Sequence, residues 1–239
     1  MAACPRCGEG NPEAAKFCAA CGSALESPVE FPLEVRKTVT VLFCDVTGST
    51  TLGERQDPEQ VRRVMSRYFE VARDVLRSHG GTVEKFMGDA VMAVFGVPVL
   101  HEDDALRALR AAAEIRDEIG SLNDELERTY GVRIAVRIGV NSGEVIAGDT
   151  LRGHSFAAGD AVNVAQRLEA AADAGEILIG EMTHELARDA IKAEATGPLQ
   201  LKGREEPVAA FRLLEVLPGL PSHVRRFDSP MIGREREHL

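Results

Sequence analysis

The sequence predicts an α+β protein in which a small cysteine-rich segment precedes a larger domain. Four of the five cysteines fall within the first 21 residues. After residue 36, short apolar runs alternate with longer segments whose apolar residues recur every three or four positions. With 239 residues, of which 44% are hydrophobic, the chain can bury one sizeable core beside a small module.

The larger domain opens with elements in the order β-α-β-β-α-β. The runs TVTVLFC, TVEKF, AVMAVF and RIAVRIGV are typical of strands. One helical periodicity runs from residue 58 to Gly80 and Gly81, which end it, and another covers about residues 102–128. A turn at Met87, Gly88 and Asp89 joins the second and third strands. This order predicts a ferredoxin-like palm, an antiparallel sheet with helices packed on one face.

Further β/α elements follow the palm. GDAVNVAQRLEAAADAG indicates a helix ended by Gly175, EILIG a strand, EMTHELARDA a short helix, and the last two strands flank LKGREEPV. We predict a cysteine-rich module at 1–25, a linker at 26–35, the main domain at 36–217 and a tail at 218–239.

The spacing of four cysteines is typical of a zinc ribbon. Cys4, Cys7, Cys18 and Cys21 read CPRC, ten residues, CAAC, and a glycine follows each pair. Four thiolates can bind a structural Zn²⁺, and a segment this short needs a metal to fold; disulfides or a redox pair are the alternatives. Because a closed four-thiolate site leaves no position for chemistry, we expect a fold staple or a docking point for another protein or domain. Cys44 lies in an apolar run and is expected to be a small buried hydrophobe.

Charge and hydropathy narrow the partners and the compartment. The net charge is −10 and there is no basic run, which argues against nucleic acid and anionic membrane as partners. No stretch approaches the ~18 apolar residues of a membrane span, and the N-terminus lacks the charged and apolar regions of a signal peptide. We expect a cytoplasmic protein.

Two aspartates lie where neighbouring strands end. Asp45 ends the first strand of the palm, and Asp89 lies in the turn between the next two. Adjacent strands can bring both carboxylates to one edge, where oxygen ligands suit Mg²⁺ or Mn²⁺ in a two-metal site. Taken singly, each has a simpler interpretation that would prevail: Asp45 as a helix cap and Asp89 as a turn residue.

Other groups suit a phosphate-bearing ligand. Gly48, Ser49 and Thr50 offer backbone amides to phosphate oxygens, although such a loop is a weak signal by itself. Asn163 and Arg167 lie four residues apart on one helix face and suit charge that develops on phosphoryl oxygens. The alternative for this pair is a solvated helix surface.

Two lysines complete the candidate set. Lys202 lies in a loop between two strands and can reach terminal phosphates, while Lys85, four residues before Asp89, can touch the base of a nucleotide. The alternative for Lys202 is an ordinary solvated lysine.

The four motifs FCDVTGST, KFMGD, GDAVNVAQR and KG, in this order over residues 36 to 215, resemble the catalytic domain of class III nucleotide cyclases. The resemblance implies that the ribose 3′ hydroxyl of a nucleoside triphosphate attacks the α-phosphorus, so that pyrophosphate leaves and a 3′,5′-cyclic nucleotide forms. It implies that Asp45 and Asp89 bind two Mg²⁺ or Mn²⁺ ions per active site, with the backbone carbonyl of Val46 as an extra ligand.

The same resemblance implies roles for the remaining groups and an assembly. Asn163 would orient the ribose, Arg167 would stabilise the α-phosphoryl transition state, Lys202 would bind the β and γ phosphates, and Arg137 would add a phosphate contact. Such cyclases complete each cleft with residues from both protomers, which implies a homodimer with two equivalent sites.

The base is less firmly indicated. In the family it is read by a lysine and by an Asp or Thr three residues before the glycine of the GDxVN motif, and here that position holds Phe156. Phenylalanine cannot hydrogen-bond an exocyclic amine, while Lys85 favours adenine by family precedent. ATP is the expected substrate, with GTP as the alternative.

The resemblance favours an adenylate cyclase that makes 3′,5′-cyclic AMP and pyrophosphate from ATP in intracellular signalling. The alternatives are a guanylate cyclase, a nucleotide-binding regulatory module of a larger signalling ATPase, and a zinc-ribbon interaction protein with a scaffold domain. The tail DSPMIGREREHL resembles the lead-in to a signalling ATPase domain. The presence of both metal and transition-state residues favours the enzyme.

Overall fold

The computed structural model divides after Val35 into two units, Met1–Val35 and Arg36–Leu239. The structure describes residues 2–4, 6–12, 15, 17–23, 35–48, 56–147, 157–200 and 207–219. The predicted linker at 26–35, except for its last residue, and the tail beyond residue 219 lie outside them. Within the described residues, no helix has the length and apolar character needed to cross a bilayer.

The helices and strands of the described residues are numbered here along the chain. They are β1 (Ala2–Ala3), β2 (Gly10–Asn11), β3 (Val35–Thr47), α1 (Pro58–Ser78), β4 (Thr82–Met87), β5 (Ala90–Phe95), α2 (Asp104–Tyr130), β6 (Ala135–Ala147), β7 (Ala157–Ala158), α3 (Asp160–Ala171), β8 (Ile177–Gly180), α4 (Glu181–Ala187), a 3₁₀ turn (Arg188–Ala190), β9 (Ile191–Leu199) and β10 (Val208–Val216).

The first unit contains two similar turns built on cysteine. The N–H of Gly8 donates to the carbonyl of Cys4, and the N–H of Gly22 donates to the carbonyl of Cys18, both at 2.9 Å. Both glycines have positive φ angles, 78° and 69°, which only glycine adopts readily. The glycine after each cysteine pair therefore closes each turn, and β1 pairs antiparallel with β2 beside the first of them.

The second unit is built on one sheet with the strand order β4-β5-β3-β6-β8-β10-β9, and β7 pairs with β6. Its first four strands and two helices follow the β-α-β-β-α-β order, and the strand order β4-β5-β3-β6 confirms the ferredoxin-like palm. Beyond the palm, β6 and β8 pair in parallel. This parallel pair lies outside the predicted antiparallel palm and forms because α3 crosses over between the two strands.

Helices cover both faces of the sheet. As predicted for the palm, α1 and α2 pack on one face, while α3, which follows the palm, lies on the other. Along β3, Leu42, Cys44 and Val46 pack into a core with residues of α1 and α2. The alternate residues Val41 and Phe43 pack on the opposite face, where α3 contributes to a second core. We call this second side the α3 face.

Local sequence explains where the two long helices begin and end. Asp57 caps α1 by accepting a hydrogen bond from the N–H of Glu59 at 2.8 Å, and proline occupies the first turn. Gly131 ends α2 with φ 67°, where the left-handed backbone favours glycine. The third helix, α3, ends at Ala171, four residues before the predicted stop at Gly175.

Candidate active site

Strand register brings the two predicted metal aspartates together. Asp45 in β3 pairs with Ala90 in β5, the residue directly after Asp89. Because side chains alternate along a strand, Asp45 points to the α3 face, two residues beyond Phe43. Asp45 is 8% exposed and Asp89 is partly buried. The two carboxylates are close enough for the charge of Asp89 to raise the pKa of Asp45.

The carboxylate of Asp45 uses its two oxygens differently. Oδ2 accepts hydrogen bonds from Arg137, at 2.6 Å from Nη2 and 3.2 Å from Nε. Oδ1 is buried and finds no hydrogen-bond partner among the described residues. Burial raises the pKa of Asp45, the hydrogen bond from Arg137 lowers it, and the net direction is upward. A buried, unpaired carboxylate oxygen beside a second carboxylate fits a divalent cation.

The guanidinium of Arg137 lies between two carboxylates. Besides its bonds to Asp45, its Nε lies 2.6 Å from Oε1 of Glu169, a residue of α3 that is 5% exposed. Burial raises the pKa of Glu169 to about 7, although the charge of Arg137 opposes the rise and the charge of Asp45 adds to it. Arg137 thus lies beside the predicted metal ligand Asp45, a position that the sequence analysis did not predict.

The strand segment that carries Asp45 is held from behind by Tyr68. The buried Tyr68 hydroxyl donates to the carbonyl of Cys44 at 2.9 Å and lies 3.4 Å from its Sγ. Cys44 is fully buried, as predicted, and burial raises the pKa of its thiol to about 12. Val46 buries its side chain in the same core, and its carbonyl follows the last residue of β3 that pairs with β5.

A bulge directs Lys85 to the side of the sheet that carries Asp45. In β4, Val83 pairs with Ala93 and Lys85 pairs with the very next residue of β5, Met92, so the alternation shifts by one. Met92 also pairs with Phe43, which lies on the α3 face. Exposed Lys85 therefore shares a face with Asp45, two strands and about 10 Å across the sheet.

The helix α3 turns two sides to different surroundings. Asn163 is exposed and Arg167 is partly exposed, whereas Glu169 is buried against Arg137. Successive residues of a helix are rotated by about 100°, so Arg167 and Glu169 point about 200° apart and Asn163 shares the side of Arg167. The structure brings Asn163 and Arg167 together and directs them away from the Arg137–Asp45 pair.

Only Gly48 of the predicted phosphate-binding residues Gly48, Ser49, Thr50 and Lys202 lies within the described residues. Gly48 directly follows β3, is exposed and has φ 75°. Ser49, Thr50 and Lys202 lie outside the described residues, as does Phe156 at the base-reading position.

Glu169 is the site residue that the sequence analysis missed. The run QRLEAAADAG mixes charged residues with leucine and alanines, and the sequence analysis gave Glu169 no role. A signal was available: Glu169 falls four residues after Ala165 and three before Ala172, inside the apolar stripe of the helix. A charged residue inside such a stripe needs a buried partner, and Arg137 supplies it.

The four cysteines of the first unit form one cluster. Their sulfur atoms all lie within 4.8 Å of one another, and Cys4 and Cys18 are buried. The backbone N–H of Cys21 is the largest of the effects that lower the pKa of Cys18, to about 6. Four converging thiols, one held toward its thiolate form, fit a tetrahedral metal ion.

Comparison with known proteins identifies the class. Residues 31–214 match the adenylate and guanylate cyclase catalytic domain, and residues 4–25 match the zinc-ribbon domain. The chain belongs to the family of adenylate and guanylate cyclase catalytic domains, the class III nucleotide cyclases, and a zinc-ribbon domain precedes its catalytic domain.

Solved structures of both base specificities resemble this chain. The adenylyl cyclase CyaB from P. aeruginosa is 31% identical with a TM-score of 0.73, covering 78% of this chain and 98% of that one. The guanylyl cyclase Cya2 is also 31% identical with a TM-score of 0.73, covering 80% and 99%.

Curated relatives are longer than this chain. Adenylate cyclase 1 of Rhizobium meliloti is 29% identical over 187 residues, which are 76% of this chain and 28% of that protein. The chain spans between about a quarter and two fifths of the length of the curated relatives it matches.

Proposed function

We propose that this protein is an adenylate cyclase that converts ATP into 3′,5′-cyclic AMP and pyrophosphate, with two divalent ions bound at the interface of a homodimer. The observation that carries the proposal is the juxtaposition of Asp45 and Asp89 on the α3 face, with the buried Oδ1 of Asp45 unpaired among the described residues. A structural aspartate would have a donor at that oxygen.

In this proposal Asp45 and Asp89 hold Mg²⁺ or Mn²⁺, and the Val46 carbonyl is an additional ligand. When bound, the ions neutralise the triphosphate and favour loss of the 3′ hydroxyl proton. Tyr68 and the β3–β5 register fix the Asp45 carboxylate, so its position is set before substrate arrives. Arg137 lies beside Asp45 and adds a phosphate contact.

The second half of the chemistry belongs to the exposed side of α3. Asn163 would orient the ribose, and the guanidinium of Arg167 would stabilise charge on the α-phosphoryl oxygens as the bond to pyrophosphate breaks. Because both point away from the Asp45 of their own chain, a second copy must supply them to each metal pair. That requirement supports a head-to-tail homodimer with two equivalent sites.

Contacts to the rest of the nucleotide are proposed from the motifs. Gly48, Ser49 and Thr50 would wrap phosphate oxygens, and Lys202 would bind the β and γ phosphates. Exposed Lys85 lies on the α3 face, about 10 Å across the sheet from Asp45, and would contact the base. GTP is the alternative substrate, since a guanylyl cyclase matches this fold as well as an adenylyl cyclase does.

The test is a turnover assay on the full chain with ATP or GTP and with Mg²⁺ or Mn²⁺, followed by mass identification of the products. The expected product is cyclic AMP with one equivalent of pyrophosphate, lost in Asp89→Asn. Cyclic GMP as the main product would reassign the substrate. A folded dimer that binds ATP without making either product would support a nucleotide-binding regulatory module instead.

We also propose that the four-cysteine cluster binds one structural Zn²⁺. Metal analysis of the purified chain should then find one zinc per chain, lost in Cys18→Ser. Removal of zinc should expose the four ribbon thiols to a thiol reagent, whereas Cys44 stays unreactive until the protein is denatured, because burial raises the pKa of its thiol to about 12. Reaction of Cys44 in the folded chain would contradict this assignment.

A further inference from the structure

Two buried carboxylates, those of Asp45 and Glu169, share the guanidinium of Arg137. Arg137 donates from both Nη2 and Nε to Oδ2 of Asp45. The Nε–H bond is directed at Asp45, so Oε1 of Glu169 receives no hydrogen bond from Nε although the two atoms lie only 2.6 Å apart. Among the described residues, Oε1 finds no other hydrogen-bond partner either.

A side chain this buried with an unused oxygen is unusual and costs free energy. Glu169 is 5% exposed, and its burial is enforced by the close approach of α3 to β6 at Gly139, where the backbone nitrogen of Glu169 lies 2.3 Å from the place a Cβ would take. Structural carboxylates in such positions are saturated with donors. An acceptor held unsaturated beside a shared donor indicates that the donor has a second position.

Charge balance points the same way. Asp45, Asp89 and Glu169 act together on this region, since the charges of Asp45 and Asp89 both raise the pKa of Glu169. Two carboxylates, those of Asp45 and Glu169, share the guanidinium of Arg137, and such a carboxylate-rich site suits a divalent cation. A cation at Asp45, however, repels the guanidinium bonded to the same carboxylate.

We propose that Glu169 is a positioning residue that takes over Arg137 when a divalent cation binds Asp45. The guanidinium then donates to Oε1 of Glu169 and remains on the α3 face, instead of competing with the cation for Asp45. This inference rests on the proposed metal role of Asp45. Arg137 then has two positions: it bonds Asp45 when the metal site is empty and Glu169 when the site is filled.

The test is Mn²⁺ binding to the zinc-loaded full chain without nucleotide, measured from the electron paramagnetic resonance signal of free Mn²⁺. The variants are Glu169→Gln, Arg137→Gln and the double variant. Glutamine keeps an acceptor oxygen but loses the negative charge that attracts the guanidinium. Arg137 therefore stays on Asp45, and Glu169→Gln should weaken Mn²⁺ binding. We expect this loss to be about tenfold larger in the wild-type background than in the Arg137→Gln background.

A matched control is available at a carboxylate whose arginine partner is not Arg137. Glu176 is also a largely buried carboxylate paired with an arginine, Arg212, so Glu176→Gln makes the same chemical change elsewhere. It should leave Mn²⁺ affinity unchanged. Equal losses for Glu169→Gln in both backgrounds would overturn the inference, because a simple charge effect does not depend on Arg137.

A second measurement does not depend on the folding of any variant. Titration of Mg²⁺ into wild-type protein should shift the Nε–Hε resonance of Arg137, because its acceptor changes; an unmoved resonance at saturating Mg²⁺ overturns the inference. Absence of Mn²⁺ binding to wild-type protein overturns both this inference and the proposed function. Cyclic nucleotide formation without the Arg137-dependent effect removes only this inference, and the effect without cyclic nucleotide removes only the cyclase.

Discussion

On the side of α3 that faces the sheet, Glu169 is 5% exposed and lies against Arg137, whereas on the other side Asn163 is exposed and Arg167 partly so. The inward side belongs to a cluster of charges that one chain completes by itself. The outward side presents two donors of the kind that bind phosphate oxygens and ribose. In the proposed homodimer, one chain would supply Asp45 and Asp89 to a site and a second copy would supply Asn163 and Arg167.

The largest expected effect is the loss of activity when a proposed metal ligand is removed. In Asp45→Asn or Asp89→Asn, cyclic nucleotide formation should fall by about 1,000-fold or more, because each change removes a charged metal ligand. The measurement is the initial rate with Mn²⁺ and ATP. Asp117→Asn, an exposed change on α2, is the control and should keep full rate. A fall of less than tenfold in both site variants would remove the two-metal assignment.

Mixing two inactive variants tests whether the halves come from different chains. Asp45→Asn lacks a proposed metal ligand and Arg167→Ala lacks the proposed transition-state arginine. Each homodimer should therefore be inactive. After equal mixing and re-equilibration, heterodimers contain one intact site, and about a quarter of the wild-type rate should return. If the mixture stays as inactive as its components, each site is built from a single chain.

A milder change tests the role of Arg167, on the side of α3 that faces away from the sheet. Arg167→Lys keeps the positive charge but loses the planar two-pronged donor, so kcat should fall by about 10- to 100-fold while KM for ATP changes little. The neighbouring exposed Gln166→Ala should match wild type. A variant with normal kcat and raised KM would show that Arg167 binds substrate without acting in the transition state.

The smallest expected effect concerns the close contact between Gly139 of β6 and the side of α3 that faces the sheet. In Gly139→Ala the new Cβ would lie 2.2 Å from the carbonyl oxygen of Ala165, so α3 must shift. We expect a loss of about 1–3 kcal/mol of stability, seen as a Tm lower by several degrees in thermal unfolding.

The matched control is Gly120→Ala, where nothing lies within 4 Å of the added methyl group. That change in the middle of α2 should raise Tm slightly, because alanine favours helix. Equal Tm changes in the two variants would show that the packing of α3 on the sheet does not depend on Gly139.

The sequence was sufficient for most of the fold and for the residue types of the site. Apolar periodicity located the strands and long helices of the palm, and motif order located Asp45 and Asp89. Periodicity shows which side of a helix is apolar but not which face of a sheet it covers, so the placement of α3 could not be predicted. The partners of Arg137 depend on that placement, because only the packed helix carries Glu169 to it.

The pairing of Asp45 with Ala90 has a consequence for folding. A slip of one residue along β3 would turn the Asp45 carboxylate into the apolar core beneath α1 and would bring the Cys44 thiol to the surface of the sheet. Burying an unpaired charge there would cost several kcal/mol, so misaligned strands separate again. The acidic side chain therefore selects the correct strand alignment before any ligand binds, and a chain with that alignment already has Asp45 beside Asp89 at the edge of the sheet.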